Sequence, residues 1–279
     1  MDFSIEILKT KRRYVMITDT HAHYDDEAFD EDRDELLSNF EHNGVELVVN
    51  ASANLKGCRE TLKLMKRYPK VYGMLGVHPS EVEELSEETL SWIKNEAMAN
   101  SINSGGKVVA VGEIGLDYHY PEPTRDIQKL WFERQLEVAR EIHLPVNIHS
   151  RDAAQDTMDI LKAHDAGSIG GIIHCYSYSR EMARDYLNMD FFFGIGGVVT
   201  FKNARKTVEA VEYIPIDHIV LETDAPYLAP TPYRGERNDS SRLSLVASKI
   251  AEIKGITADE VIRITGQNAG KVYGINANA

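Results

Sequence analysis

Side chains of the types that bind divalent cations stand at the ends of short apolar runs along this chain. Six of them are candidate metal ligands: His21, His23, Glu113, His149, His174 and Asp224. Each apolar run has the length and composition of a β-strand. Because the ends of parallel strands in a closed barrel converge on one mouth, side chains that are distant in sequence are expected to meet there. The pattern predicts a metal-dependent hydrolase.

The first two candidates form a His-Ala-His sequence at the end of the first predicted strand. The period-two alternation of a strand points His21 and His23 to the same side, where two imidazoles can bind one ion. On its own the motif is weak evidence, because histidines at this spacing are also common on protein surfaces. Asp19 shares the alternation, and we expect its carboxylate to orient the two rings, as outer carboxylates do around metal ions.

Glu113 is a charged residue within an apolar segment, between Gly112 and Gly115. Its two carboxylate oxygens could bridge two ions that lie about 3.5 to 4 Å apart, the separation used in two-metal hydrolysis. The alternative is a buried salt bridge, with Arg134 as the candidate partner. The segment alone does not decide between these interpretations.

His149 and His174 each end an apolar strand segment. A single histidine in such a place is more often a core residue than a ligand, but two on successive strands favour ligands. Asp224 closes the last strand segment and can bind a metal through one oxygen while its other oxygen accepts a proton from the attacking water. The alternative for Asp224 is a turn before Pro226 that its own side chain stabilises. We expect Cys175 to face away from the site as a small buried residue.

Strand and helix signals alternate strictly along the chain. Strands are predicted at 16–20, 45–50, 71–77, 107–113, 145–149, 169–174, 191–195 and 218–222. Helices are predicted at 33–43, 55–68, 86–99, 125–142, 152–164, 179–187, 204–213, 240–254 and 257–271. Eight βα units without a low-complexity tract predict a single (β/α)8 TIM barrel of the α/β class over residues 16–275. Two stacked α/β domains are the alternative.

Residues 1–15 precede the first predicted strand, and we expect them to form an N-terminal leader that is disordered or dispensable. Met16 offers an internal translation start directly before this strand. The leader contains basic residues but no apolar run of the length that a signal peptide or a membrane span requires.

The composition limits the functions that the chain can have. The net charge of −13 over 279 residues argues against a cationic surface that binds phosphate backbones without sequence preference. Any contact with nucleic acid must therefore be local or made through metal ions. With only Cys58 and Cys175, a disulfide framework is not expected, which fits a reducing compartment. We expect a cytoplasmic protein that does not associate with membranes.

Several strings, taken in order, resemble those of TatD-family metal-dependent deoxyribonucleases of the amidohydrolase superfamily. They are DTHAH at 19–23, GVHP at 76–79, GEIGLDY at 112–118, IHSR at 148–151, HCY at 174–176 and ETDAPYL at 222–228. The likeness extends from Met16 to the C-terminus, and the combination is more specific than any one string. The third residue of the string at 174–176 departs from the family, which commonly has phenylalanine in place of Tyr176.

The resemblance implies a TIM-barrel nuclease that hydrolyses phosphodiester bonds with two divalent ions, which could be Mg, Mn, Zn or Co. By similarity, the first ion would be bound by His21, His23, Glu113 and Asp224, and the second by Glu113, His149 and His174. Glu113 would then bridge the ions, and Asp224 would be the catalytic base. The resemblance further implies 3′-to-5′ exonuclease action on DNA, in some members on RNA, and we expect single-stranded DNA as the substrate and a monomeric enzyme.

Other side chains near the predicted mouth are candidates for contact with the substrate: His78, Arg151, Tyr176, Tyr227, Arg234 and Arg237. The arginines can bind phosphate oxygens and the tyrosines can stack on bases, while His78 would steer the substrate. The alternative for Arg234 and Arg237 is pairing with nearby acids such as Glu236 and Asp239.

Two other functions are compatible with the same features. The first is a small-molecule amidohydrolase or phosphotriesterase-like hydrolase on the same fold, although many such enzymes bridge their metals with a modified lysine where this chain has Glu113. The second is a nucleic-acid-binding scaffold with a vestigial metal site, which the intact ligand set disfavours.

Overall fold

A computed structural model describes residues 15–275 of the chain. Eight parallel strands form one sheet in chain order: β1 (Ile17–Ala22), β2 (Val45–Ala51), β3 (Val71–Leu75), β4 (Val108–Asp117), β5 (Val146–Arg151), β6 (Gly171–Ile173), β7 (Phe192–Ile195) and β8 (Ile219–Leu221). The last strand returns to the first, where Ala22 forms a bridge with Ala225 and the Thr20 hydroxyl donates to the Leu221 carbonyl. The predicted single (β/α)8 barrel is confirmed.

Helices follow the strands around the outside of the barrel. Within the described residues they are α1 (Arg33–Ser38), α2 (Leu55–Arg67), α3 (Glu87–Ala99), α4 (Arg125–Ile142), α5 (Ala154–Ala163), α6 (Arg180–Leu187), α7 (Arg205–Tyr213), α8 (Leu243–Lys254) and α9 (Ala258–Tyr273). Capping boxes begin two of them, with Ser86 and Thr89 at α3 and Thr257 and Glu260 at α9. Each box satisfies backbone N–H groups that the first helical turn leaves free.

The helix predicted at 33–43 is shorter than its periodicity suggests. Helix α1 ends at Ser38, and a separate 3₁₀ turn covers Phe40–Asn43. Between them, the Asn39 side chain donates to the Glu35 carbonyl, which illustrates why asparagine competes with helical hydrogen bonding. The last predicted barrel helix likewise begins with a 3₁₀ turn, Ser240–Arg242, before α8.

Strand β4 extends past the predicted end at Glu113 and contains a bulge at that position. Val111 pairs with Val146 and Ile114 pairs with Ile148, so that β4 takes three steps where β5 takes two. A bulge of this kind redirects a side chain out of the regular alternation. Gly115 follows with a φ of 145°, and a Cβ there would lie 1.9 Å from the His149 carbonyl oxygen. The sequence around Glu113 therefore allows a glutamate to stand inside a strand.

The barrel interior is packed with apolar residues and is closed by the last helix. Tyr273 of α9 belongs to one buried cluster with Leu47, Met74, Ile172 and Val220, each from a different strand. A larger buried cluster lies between the strands and the surrounding helices. The interior is thus a filled core, as is usual for this fold, and leaves the chemistry to the mouth.

Asp19 is fully buried and ties β1 to the segment that follows β8. One carboxylate oxygen accepts from the backbone N–H groups of His21 and Thr223, at 3.2 and 3.0 Å. The other accepts from the hydroxyls of Thr223 and Ser240, at 2.7 and 2.6 Å. Burial raises the pKa of Asp19 to about 7, although these hydrogen bonds oppose the shift. The expectation that Asp19 orients the imidazole rings is wrong, because its contact is with the backbone of His21.

Over residues 15–275, none of the helices is long and apolar enough to cross a membrane. The predicted leader, residues 1–15, lies outside the described residues except for Val15.

The Asp19 contacts predict different outcomes for two substitutions. Asp19→Asn should be tolerated, because the amide NH₂ can donate to the two hydroxyls while the carbonyl oxygen keeps both backbone contacts. Asp19→Ala leaves buried donors without an acceptor and should lower the free energy of unfolding by about 2 to 4 kcal/mol. Urea denaturation of the two variants checks this, and equal stability would contradict it.

Candidate active site

The structure brings the six predicted ligands together at the carboxyl-terminal mouth of the barrel. The sequence suggested that every one of them follows a strand, but only some of them do. His21, Glu113 and His149 lie within β1, β4 and β5, whereas His174 directly follows β6 and Asp224 comes shortly after β8. The difference arises because β4 and β5 continue past the mouth-facing positions that the apolar pattern marks as strand ends.

The two carboxylate oxygens of Glu113 face two different pairs of imidazoles. Oε2 lies 3.3 Å from His21 Nε2 and 3.7 Å from His23 Nε2. Oε1 lies 2.7 Å from His149 Nδ1 and 3.8 Å from His174 Nε2. One carboxylate therefore stands between two groups of nitrogen donors, which is the arrangement that a bridging ligand requires.

The arginine suggested as a salt-bridge partner of Glu113 forms ion pairs with other acids. Arg134 pairs with Glu87 and Glu137 on the outer surface. Glu113 itself is 3% exposed and has only histidines among its charged partners in the described part of the chain. A salt bridge between Glu113 and Arg134 is therefore excluded, and the charged partners of Glu113 are imidazoles.

Asp224 faces three of the imidazoles, with that of His23 nearest. Its Oδ1 lies 3.3 Å from His23 Nε2, 3.6 Å from His174 Nε2 and 3.8 Å from His21 Nε2. The turn that follows is closed by the backbone, with Tyr227 N–H donating to the Asp224 carbonyl at 2.8 Å. The side chain is thus free of the turn and directed to the imidazoles.

Hydrogen bonds at the far side of each ring fix which nitrogen can bind a metal. His21 Nδ1 lies 2.9 Å from Asn147 Oδ1, and His23 Nδ1 lies 2.8 Å from the Ala51 carbonyl oxygen. These oxygens only accept, so both Nδ1 atoms carry a proton and both Nε2 atoms face the cluster, where each can bind either a proton or a metal ion. His149 is reversed: its Nε2 donates to Asp117 Oδ2 at 3.1 Å, which leaves Nδ1 for the cluster.

His78 differs from these rings in its tautomer. The backbone N–H of Ser80 donates to His78 Nδ1 at 3.1 Å, so this nitrogen uses its lone pair. Burial and the neighbouring His149 lower the pKa of His78 to about 3, and the neutral ring therefore carries its proton on Nε2. Nε2 lies 3.9 Å from Glu113 Oε1. His78 presents a hydrogen-bond donor to the mouth, which suits a substrate oxygen better than an ion.

Both acids of the cluster are ionised at neutral pH despite their burial. Burial raises the pKa of Glu113, but His21 and His174 outweigh it and hold the value well below the usual range. Burial likewise raises the pKa of Asp224, but the contact with His23 and the charges of His174 and His21 together lower it. An ionised carboxylate can bind a cation or accept a proton.

The imidazoles supply the compensating charge. Burial lowers the pKa of His23, but Asp224 raises it to about 9. Burial also lowers the pKa of His174, while Glu222 and Glu113 raise it to about 10. Protons on these rings occupy the place that a cation would take. Imidazole nitrogens and carboxylate oxygens fit magnesium, manganese, zinc or cobalt, so the residues present fit a divalent metal site.

A cavity of about 890 Å³ opens over the cluster. Three of the predicted substrate contacts, His78, Arg151 and Tyr227, line it. The Tyr227 side chain is 54% exposed, and Tyr120, which sequence reasoning missed, is 61% exposed on the same cavity. These two tyrosines are available to stack on a planar group.

Three predicted substrate contacts do not line this cavity: Tyr176, Arg234 and Arg237. Tyr176 is 2% exposed, and its hydroxyl donates to the Ser179 carbonyl, so the ring is not available for stacking.

The two arginines are held against other groups. Arg237 donates to Asp32 and to the Ala28 carbonyl, each at 2.8 Å. Arg234 lies over the Phe201 ring at 4.0 Å. The predicted phosphate contacts of both arginines are therefore not supported by their positions. The acids suggested as their partners, Glu236 and Asp239, pair instead with Arg242.

Cys175 is also placed differently from the prediction. It lines the cavity and is only half-buried, with its backbone in the left-handed region at a φ of 45°. Its N–H donates to Glu222 Oε1 at 2.6 Å. Burial raises the pKa of the Cys175 thiol, which remains protonated at neutral pH.

Sequence reasoning missed the outer partners of the rings, which are Asn147, Asp117 and Glu222. A signal for two of them was present, since Asn147 and Glu222 stand two residues before His149 and Asp224. Polar residues at that spacing in an otherwise apolar strand lie on the same face as the ligand.

Comparisons with known proteins identify the family and the fold of this chain. The sequence model of the family described as TatD related DNase matches residues 18–274. YabD of Bacillus subtilis, named an uncharacterized metal-dependent hydrolase, is 41% identical over 261 residues, covering 94% of this chain and 100% of the relative. YcfH of Escherichia coli, named in the same way, is 32% identical over 268 residues, covering 95% and 98%. The crystal structure of YjjV, a TatD homologue from Escherichia coli, matches with a TM-score of 0.85 at 29% identity, covering 93% of this chain and 98% of the other.

The cluster predicts that divalent ions stabilise the folded protein through Glu113. Adding Mn²⁺ to chelator-treated protein at about 100 times its dissociation constant should raise the free energy of unfolding by about 2.7 kcal/mol. Glu113→Gln should lose most of this gain while remaining folded. Thermal unfolding with and without Mn²⁺ measures it, with surface variant Glu87→Gln as control. An undiminished gain in Glu113→Gln would contradict the role of Glu113.

Proposed function

The chain belongs to the TatD-related DNase family, as its motifs predict, and we propose that it hydrolyses phosphodiester bonds in DNA, with RNA as a second substrate. The observation that carries this proposal is the position of Glu113, whose two oxygens each face a separate pair of imidazoles. A hydrolase with a single ion has no need of this division. The catalytic unit is taken as residues 16–275.

The proposed ligand sets follow these two faces. His21, His23, Glu113 and Asp224 bind the first divalent ion, and Glu113, His149 and His174 bind the second. Magnesium, manganese, zinc and cobalt are the candidate ions. Two such ions supply electrostatic activation of a water molecule and stabilisation of negative charge on the reacting phosphate.

The protein side chains handle protons and orientation. Asp224 is ionised, and it is the carboxylate with the more open position, since its side chain is 19% exposed where that of Glu113 is 4% exposed. We assign Asp224 as the base that accepts the proton of the attacking water. His78 donates from Nε2 to a phosphate oxygen, because its other nitrogen already accepts from Ser80. The first role requires a partly exposed, ionised carboxylate, and the second requires a donor nitrogen directed to the mouth.

The substrate proposed is the 3′ end of a single strand, shortened in the 3′-to-5′ direction. The cavity lining contains acids beyond the cluster, among them Asp26, Glu60 and Glu81, which disfavour contact with many phosphates at once. Tyr120 and Tyr227 offer ring faces on which unpaired bases can stack. A strand end needs only a few phosphate contacts, and Arg151 is proposed to make one of them.

A small-molecule amidohydrolase or phosphotriesterase-like hydrolase is the other function that this fold could carry. Turnover of amide, ester and phosphotriester panels, compared with that of labelled oligonucleotides, separates the two. We further propose that the enzyme is a monomer. We also propose that it is cytoplasmic, because Cys58 and Cys175 are both free thiols, which fits a reducing compartment.

Metal-dependent cleavage is predicted to show as stepwise shortening of an end-labelled strand. Chelator-treated enzyme should be inactive on single-stranded DNA and should recover when one of the four candidate ions is added. Asp224→Asn should lower kcat by about 10² to 10⁴-fold, because the proton acceptor is lost. Asp190→Asn removes the same charge before β7, at the opposite end of the barrel, and serves as the control. A kcat in Asp224→Asn equal to that of Asp190→Asn would remove the assignment of Asp224 as base.

Substrate binding should depend on Arg151 and not on Arg234. Measured in the Asp224→Asn background, Arg151→Ala should weaken binding of a single strand and reduce the slope of log K against log salt by about 0.7, as expected for one lost phosphate contact. Arg234→Ala should leave that slope unchanged, because its guanidinium packs on Phe201. Equal effects of the two substitutions would contradict the assignment.

A further inference from the structure

The four imidazoles of the cluster differ in the charge of their outer partners. His21 and His23 donate to uncharged oxygens, those of the Asn147 amide and the Ala51 carbonyl. The other two rings face carboxylates: His149 Nε2 donates to Asp117 Oδ2 at 3.1 Å, and His174 Nδ1 lies 3.0 Å from Glu222 Oε1. The division follows the two faces of Glu113.

Glu222 is a buried carboxylate whose sole cationic partner in the described chain is His174. Its side chain is 1% exposed, and its Oε1 also accepts from the Cys175 N–H. Its Oε2 is buried without a hydrogen-bond partner. A Cβ at position 194 would lie 1.9 Å from this oxygen, so only Gly194 leaves room for the carboxylate. A buried charge with so little compensation is costly unless a cation stands on the other side of the ring.

Asp117 is the corresponding partner of His149. It ends β4, is 7% exposed, and its second oxygen accepts from the His119 N–H at 2.9 Å. One oxygen of Asp117 thus contacts the outer nitrogen of the His149 ring, while a backbone N–H holds the other.

The ligand charges of the two proposed ion positions are unequal. The first has Asp224 and a share of Glu113, whereas the second has a share of Glu113 and two neutral rings. The second position would hold a divalent ion with little negative charge in direct contact. Glu222 and Asp117 place two further negative charges one imidazole away, and such outer carboxylates raise the basicity of a ligating histidine.

We propose that Glu222 and Asp117 are positioning residues that set the affinity of the second ion position, while the first position depends on Asp224 and not on them. This inference rests on the two-ion site proposed above. The two ion positions are then chemically distinct although they share Glu113, so that one ion can be lost while the other stays bound.

Titration of chelator-treated protein with Mn²⁺, followed by calorimetry, tests the inference without measuring catalysis. The wild-type protein should bind two ions in two steps. Glu222→Gln, which keeps the side-chain shape, should weaken one step by about 10 to 100-fold and leave the other unchanged. Asp224→Asn should weaken the opposite step, which assigns the steps to positions. Asp117→Asn should act like Glu222→Gln and provides the test if Glu222→Gln does not fold.

Two control variants separate a local effect from a general loss of charge. Glu60→Gln removes one negative charge from the lining of the same cavity, where Glu60 pairs with Lys63, and should change neither step. Asn147→Asp adds a carboxylate behind His21 and should tighten the first step only. Thermal unfolding of each metal-free variant shows whether the fold is retained.

The inference is overturned if Glu222→Gln and Asp117→Asn weaken both steps equally, leave both unchanged, or act no more strongly than Glu60→Gln. A wild-type protein that binds a single ion also overturns it. Two-step binding with the expected losses, in a protein that cleaves no oligonucleotide, would leave the inference standing and remove the proposed nuclease function.

Discussion

The site depends on one constraint: two ionised carboxylates, Glu113 and Asp224, are kept in a barrel mouth where imidazoles are their only cationic partners among residues 15–275. Buried charge of one sign is costly, and only an opposite charge at short range offsets it. The rings satisfy this demand with protons or, in their place, with metal ions. The bulge in β4 and the left-handed Gly115 let a glutamate occupy a strand without disturbing its neighbours.

The sequence was sufficient for the fold and for the identity of the family. An apolar run followed by a segment with helical periodicity occurs eight times. Each repeat can be recognised from neighbouring residues, without knowledge of distant contacts. The six candidate ligands could be predicted for a related reason. In a parallel barrel the carboxyl ends of all strands lie at the same mouth, whatever their separation in sequence. The exact ends of the strands were harder to predict, because the apolar pattern of β4 does not show that the strand continues beyond a charged residue.

The contacts made by the outer partners and by the substrate candidates depend on long-range geometry, because a local pattern can place a side chain on a face of a strand but does not identify its partner. Arg237 was predicted to bind phosphate or to pair with a nearby acid such as Glu236, yet it pairs with Asp32, which is 205 positions away in sequence. Tyr176 lies two residues after His174, beyond the end of β6 and after the left-handed Cys175, and its ring packs into the core against Phe193. Asn147 contacts His21 across 126 positions. In each case the residue type was visible in the sequence and its partner was not.

The hydroxyl of Tyr273, on the final helix, accepts from Asn147 and donates to the Thr20 carbonyl, so that the end of the chain supports the ring of His21 near its beginning. During synthesis the first strand therefore leaves the ribosome long before the residue that braces its histidine exists. A polypeptide that stops before α9 lacks this brace. The final described helix thus holds in place a ring of the site although it contributes none of the six candidate ligands.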